Sequence, residues 1–329
     1  MAEGLAREAG RQDGLRVRSV EPGEILQRGG VFVALALVLL AAAVISPAFY
    51  QPANIFNVLR QGSALGIVSI GQAIVILGGG FDLSVAAVMQ LAVITSAQIA
   101  RGSDVYAVPI IFLCIVLGTL IGWANGLIVV KRRVQPFVAT LFVAVIIIGA
   151  RLAYTGGAPS GNLPPMLRYL GRDSSGPIPN ATLIFFLLAL VAFVLLRYTV
   201  FGRRMYAMGG NREATRLSGV NVDRLAILSY VVCGTLAAVA GLVLAGYIGY
   251  ADQWIGAGYD LDSVSAVVVG GMSLEGGRGG IAGTVAGVLL ITILLNLVLL
   301  LNLDAQYQFV VRGLVILGAV AIYSVRGRA

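Results

Sequence analysis

Histidine is absent from this chain of 329 residues, lysine occurs once, at Lys131, and cysteine twice, at Cys114 and Cys233. Each shortage closes a class of function. Without histidine there is no Ser-His-Asp type of triad and no ordinary histidine zinc site. Two thiols set in apolar runs make neither a disulfide framework nor a metal site. No catalytic residue, metal or cofactor is therefore assigned. The lone lysine follows Val130, whereas a phosphate-cradling loop needs Gly-Lys-Ser/Thr behind a glycine-rich turn. If ATP drives this protein, another chain must bind it. Charge is scarce as well: 12% of residues are Asp, Glu, Lys or Arg, against about 25% in an average soluble domain.

What replaces charge is apolar sequence, at 58% of residues and a mean hydropathy of +0.92. It falls in long runs, among them Val31–Ile45, Ala107–Val130 and Ile281–Leu301. A run of about 18 or more apolar residues can cross the hydrocarbon core as a helix. The pattern predicts an all-α, polytopic membrane protein of about ten transmembrane helices: 31–49, 62–78, 83–100, 107–130, 134–154, 181–197, 225–249, 261–273, 281–302 and 306–324. Pro52–Gln61 reads as a short helix in the outer interface. Gly118, Gly122 and Gly126, four apart on one face, predict close helix packing.

Residues 1–30 are polar and arginine-rich, and read as a cytoplasmic tail before an uncleaved first helix. Residues 31–329 form the transmembrane domain, with 198–224 as its longest internal loop and 155–180 as its longest external one. The net charge of +8 does not call for nucleic acid, because topology accounts for it. Of 23 Lys and Arg residues, 17 fall in segments that ten crossings place on one side. They are Arg7, Arg11, Arg16, Arg18 and Arg28, the Lys131–Arg133 cluster, six in the internal loop region from Arg197 to Arg224, and Arg278, Arg326 and Arg328. The positive-inside rule makes that side cytoplasmic and puts both termini there, in a plasma (inner) membrane.

Two glycine-rich interruptions join apolar segments. One is Gly78–Ser84, containing Asp82 and Ser84; the other runs from Gly270 to Gly280 and contains Ser273 and Glu275. Paired breaks in two halves of a chain point to transporter repeats. The first break can be a loop or a re-entrant segment. Asp82 and Ser84 can cap the following helix or form a polar element on a translocation path; the roles are compatible. On 281–302, Thr284, Thr292 and Asn296 share a broad arc, suited either to lining a path for a hydroxylated solute or to bonding between helices. Gln61, Gln72 and Asn125 are weaker candidates of the same kind. Arg312, a cation inside the last apolar run, pairs with a carboxylate or snorkels. In the internal loop, glycines flank a short helical stretch, Asn211–Ser218, with Asn211 as cap and Glu213 suited to the first turn. The same stretch can also be an ordinary solvated loop.

Four stretches in order resemble the ribose/xylose-type permease family of bacterial ABC importers, from about Asn54 to Ile322. Gly80-Phe81-Asp82-Leu83-Ser84-Val85 is similar to that family's Gly-x-Asp-Leu-Ser-Val. Arg133–Leu141 is similar to its Arg-Val-x-x-Phe-Ile-Ala-Thr-Leu. Asn211–Gly219 resembles its coupling loop, with Glu213, Ala214 and Gly219 at the Glu-Ala-x-x-x-x-Gly spacing. Val267–Gly287 resembles its Gly-Gly-x-Ser-Leu-x-Gly-Gly-x-Gly segment. The chain departs at Ala86, where the family usually has Gly, and at Leu295 and Leu299, where it often has Asn. The resemblance implies a permease fold of two related halves, a second permease copy (homodimer or pseudo-dimer), a cytoplasmic ABC ATPase and a periplasmic or extracellular sugar-binding protein. It implies ATPase coupling through Asn211, Arg212, Glu213, Ala214, Arg216 and Gly219, with the two arginines facing acidic groups on the ATPase.

Two other classes compete. A secondary transporter or channel for a small polar solute needs ion-coupling carboxylates or proton relays inside its helices; Asp82 is the one good candidate, and the basic loop has no task there. A membrane enzyme needs a nucleophile–base pair, and none is visible.

Overall fold

The computed structural model describes residues 22–303 and, beyond them, 306–308, 310, 311, 313, 314 and 317, with backbone alone for 22–29. The N-terminal tail as far as residue 21, Asp304, Arg312, Arg326 and Arg328 lie outside the described residues. The helices are α1 (Pro22–Ile45), α2 (Pro52–Leu77), α3 (Val85–Ala100), α4 (Ala107–Lys131), α5 (Pro136–Thr155), α6 (Pro165–Gly171), α7 (Asn180–Tyr198), α8 (Val200–Gly210), α9 (Arg212–Leu217), α10 (Val222–Ile248), α11 (Tyr259–Val269) and α12 (Ile281–Leu300). One two-stranded antiparallel pair, Ser174–Ser175 with Ile178–Pro179, sits between α6 and α7.

Among the described residues, six helices are long and apolar enough to cross a membrane: α2, α4 with its leading turn, α5, α7, α10 and α12. Gly30–Ile45 within α1, and α3, are shorter apolar helices. The expected crossing at 261–273 is α11, with only 11 residues, about half of what a ~30 Å core requires. The segment 306–324 is described only in part. Pro52–Gln61 is not a separate interfacial helix: it is the first part of the 26-residue α2. Pro52 supplies the fixed φ suited to a helix start. The polar residues that break the hydropathy there, Asn54, Asn57 and Gln61, find partners on other helices: Asn296 for Asn54, and Tyr247 for Asn57 and Gln61.

Helices α2 and α10 form the centre. From Gly62 to Leu77 every residue of α2 is buried, and it packs against α7, α10, α11 and α12. Helix α10 packs most extensively against α4, then against α2 and α3. Between lipid-embedded helices, apolar burial gives little driving force, so close van der Waals packing has to hold the bundle. The α4–α10 seam meets that need. A Cβ on Gly118 would lie 2.4 Å from the Gly234 carbonyl oxygen, and one on Gly122 would lie 2.2 Å from that of Tyr230. Thr119 and Thr235 hydroxyls bond across the same seam at 2.8 Å, a contact of about 0.6 kcal/mol by membrane-protein averages. The outer faces of α5 and α7 carry exposed apolar side chains such as Phe142, Val145 and Leu187. Cys114 and Cys233 are buried and unpaired with each other.

The bundle has two distinct ends. One gathers the C-termini of α2, α4 and α7, the N-terminus of α10, and both α8 and α9; Lys131 of α4 meets Asp223 of α10 there at 3.6 Å. The opposite end holds α6, packed on the last turn of α10, where a Cβ at Gly171 would fall 2.3 Å from Tyr247 N. The turn after α3 joins that end, with Gly102 N–H donating to the Asn162 carbonyl at 2.8 Å.

Candidate functional site

Helix α9 is short, exposed and closed at both ends by its own sequence. The Asn211 side chain accepts from Ala214 N–H at 2.9 Å, the bond an N-cap makes. Glu213 lies in the first turn and Arg216 in the last, as the helix dipole favours. At the C-terminus, Gly219 takes a left-handed φ of +82°. Its N–H donates to the Arg216 carbonyl and Val220 N–H to that of Thr215, which together make a Schellman stop. Arg212 and Arg216 both reach Asp223 of their own chain, at 3.4 and 3.6 Å. Asp223 thus holds three cations, counting Lys131, and ties α9 to α4 and α10.

The helix before it, α8, links α9 to the bundle. Thr199 caps α8 by accepting from Gly202 N–H at 3.4 Å. Met205 and Met208 point inward and are buried, while Arg203 and Arg204 are exposed. Burial raises the Tyr206 phenol above its ordinary value, with the Arg197 cation opposing. The phenol stays neutral at physiological pH and donates to the Gly279 carbonyl at 2.9 Å.

The two glycine-rich breaks meet beneath α8. Gly277 N–H donates to the Leu77 carbonyl at 2.9 Å, joining the second break to the end of α2. Gly79, Gly276 and Gly277 have φ of +79°, +89° and +70°, which side chains seldom adopt. The first break is a tight turn at this end, between α2 and α3.

Within that turn Asp82 is fully buried. Its Oδ1 accepts from Ser84 N–H at 2.9 Å and from Ser84 Oγ at 2.6 Å. Asn125 of α4 donates to the carboxylate at 3.3 Å and to Ser84 Oγ at 2.8 Å. Ser84 itself makes no side-chain cap to α3; the side chain that turns the backbone is Asp82. Leu83 N–H donates to Thr140 Oγ1 of α5 at 3.0 Å, so the turn is tied to both α4 and α5. Nearby, Gln72 Oε1 accepts from Cys233 Sγ at 3.8 Å. Gln72 Nε2, Asn125 Oδ1 and Tyr230 Oη are buried with no hydrogen-bond partner among the described residues. This is a polar knot inside the bundle, with no lysine or arginine paired to Asp82 among the described residues.

A family model described as the permease component of a branched-chain amino acid transport system matches residues 54–320. The chain belongs to this permease family. The permease is 39% identical over 305 residues to the ribose import permease of Bacillus subtilis (strain 168), covering 91% of this chain and 93% of that one. It is 37% identical over 294 residues to the ribose import permease of Escherichia coli (strain K12), covering 88% and 91%. It is 32% identical over 320 residues to the galactose/methyl galactoside import permease of the same strain, covering 92% and 95%. No solved structure matches.

Of the permease's candidate path residues, Asp82, Ser84 and Asn125 come together, with Gln72 close by. The others lie apart, toward the opposite end. Asn296 exchanges bonds with Asn54 at 3.1 and 3.0 Å. Gln61 donates to Tyr247 Oη at 3.3 Å. Thr292 donates to its own helix at Val288 and packs where Gly62 leaves room. Thr284, by contrast, stands beside the second break, one turn into α12, and bonds back to Gly280. Sequence reasoning missed Asp223 and Tyr206, and read Gly209 only as a glycine flanking the short helix. The only signal for Asp223 was a second carboxylate, beside Glu213, in a strongly basic loop.

Proposed function

We propose that this permease is the membrane subunit of an ATP-driven importer of a monosaccharide, ribose or a close relative, and that α9 receives a separate cytoplasmic ABC ATPase. The observation that carries the docking role is α9 itself: a short exposed helix, capped at both ends, on a chain with no phosphate-binding loop of its own. Such a helix meets a partner without first being ordered. The sugar reading follows from the ribose and galactoside permeases that align along nearly the whole chain. The basic α8–α9 end faces the cytoplasm, and both termini lie on that side. An external sugar-binding protein delivers the solute to the opposite end. A second permease copy completes the path, with Asn296, Thr292 and Gln61 as its polar lining and Asp82, Ser84, Asn125 and Gln72 nearer the cytoplasm.

The test is reconstitution in liposomes with a candidate ABC ATPase and sugar-binding protein from the same organism. ATP-dependent ribose uptake is expected, and Glu213→Lys, which sets a like charge against the positive helix start, lowers it at equal insertion. Wild-type uptake in that variant removes α9 from the coupling role. Transport of a branched-chain amino acid in place of any pentose or hexose overturns the sugar reading.

A further inference from the structure

The geometry points to a joint at Gly209, where the end of α8 bears directly on both breaks and passes on movement received at α9; Gly209 and Tyr206 are its positioning residues. The inference rests on the importer reading above and adds the route by which the bundle is moved.

Three backbones meet at this point with no side chain between them. A Cβ on Gly209 would lie 2.0 Å from the Leu77 carbonyl oxygen and 2.4 Å from Gly277 N. A Cβ on Gly277 would lie 2.6 Å from Gly210 N, and one on Gly276 would lie 2.9 Å from Gly79 N. The Gly277–Leu77 hydrogen bond closes the contact between the breaks, and the Tyr206–Gly279 bond fastens α8 to the second of them. On its inner side α8 is seated by Met205 and Met208, whose methyl groups fill the space beside Gly78.

The other end of the lever is equally short. Asn211 is the only residue between α8 and α9. It is held to α8 by its N–H on the Ala207 carbonyl and caps α9 with its side chain. No slack linker separates the docking helix from the joint. Packed contacts of this kind shift between discrete arrangements rather than deforming smoothly. A push on α9 therefore reaches the ends of α2 and α11 and the starts of α3 and α12 together, because all four flank the two breaks.

A merely structural role for these residues predicts loss of assembly. The joint predicts loss of coupling in an assembled complex. The experiment is the liposome assay, reading ribose uptake and binding-protein-stimulated ATP hydrolysis side by side in wild type, Gly209→Ala and Tyr206→Phe. Tyr206→Phe loses one oxygen and keeps the ring, so it keeps the test open even where Gly209→Ala does not assemble. Expected are complexes of normal composition with ATP hydrolysis near wild type. Uptake per ATP falls about 3–10-fold for Tyr206→Phe, the span one hydrogen bond covers, and further for Gly209→Ala. Unchanged uptake per ATP in Tyr206→Phe, or uptake and hydrolysis falling in step, overturns the joint while the importer reading stands. A wild-type complex that hydrolyses ATP and moves no sugar overturns the importer reading, and the joint with it.

Discussion

The two breaks have the same ingredients, a glycine run with one carboxylate and one serine, and use them in opposite ways. The first turns its carboxylate inward: Asp82 is fully buried and bound by Ser84 and Asn125. The second leaves Glu275 exposed and offers its backbone, through Gly276, Gly277 and Gly279, to α2 and α8. One is a knot within the bundle and the other a bearing surface for α8. Composition alone does not separate these roles. What separates them is the neighbouring helix: α4 brings Asn125 to the first, and α8 brings Gly209 and Tyr206 to the second.

The difference can be broken by substitution. Asp82→Ala has the largest expected effect. It strips the acceptor from Ser84 N–H and Ser84 Oγ and leaves Asn125 Nδ2 only its bond to Ser84, and each buried group left unpaired costs about 1–3 kcal/mol. Ribose uptake is lost, and the thermal midpoint in detergent, followed by size exclusion after heating, drops well below that of wild type. A variant as heat-resistant as wild type would show that the knot holds nothing. Gly276→Ala comes next, at about 1–2 kcal/mol, because its φ of +89° suits glycine and its Cβ would press on Gly79 N. Asn211→Ala removes the α9 cap at about 1 kcal/mol. It acts locally: uptake falls while the global thermal midpoint stays within a degree or two. An equal loss of midpoint in Asn211→Ala and Gly276→Ala would merge two regions held here to be distinct. Glu275→Gln is the smallest change, within about 0.5 kcal/mol of wild type as exposed substitutions usually are, with uptake preserved. If it matches Asp82→Ala in damage, the contrast between the breaks is gone.

Most of the helical frame was legible in the sequence because apolar runs report on lipid contact, and α4, α5, α7 and α12 fall close to where those runs lie. The start of α2 was not, because Asn54, Asn57 and Gln61 look like interface residues until α10 and α12 supply their partners. The ends of α9 were legible, since Asn211 and Gly219 are local signals. The polar knot was half legible: Asp82, Ser84 and Asn125 each stood out, but their meeting depends on α4 running back past the turn, 41 to 43 positions along the chain. The glycine contact at Gly209 was illegible, because a residue without a side chain announces nothing about what approaches it. Asp223 was hidden by its surroundings, one of two acids among many arginines.

The ion pair between Lys131 and Asp223 has a practical consequence. Because lysine occurs once, the protein carries a single side-chain amine, and it stands at the foot of α4, about 60% exposed, beside α9. An amine-reactive spacer added to the assembled complex thus has one internal address on this subunit. Any adduct mapped there measures how near a neighbour stands to α9, and its yield across nucleotide states gives a ruler for that gap without a single engineered residue.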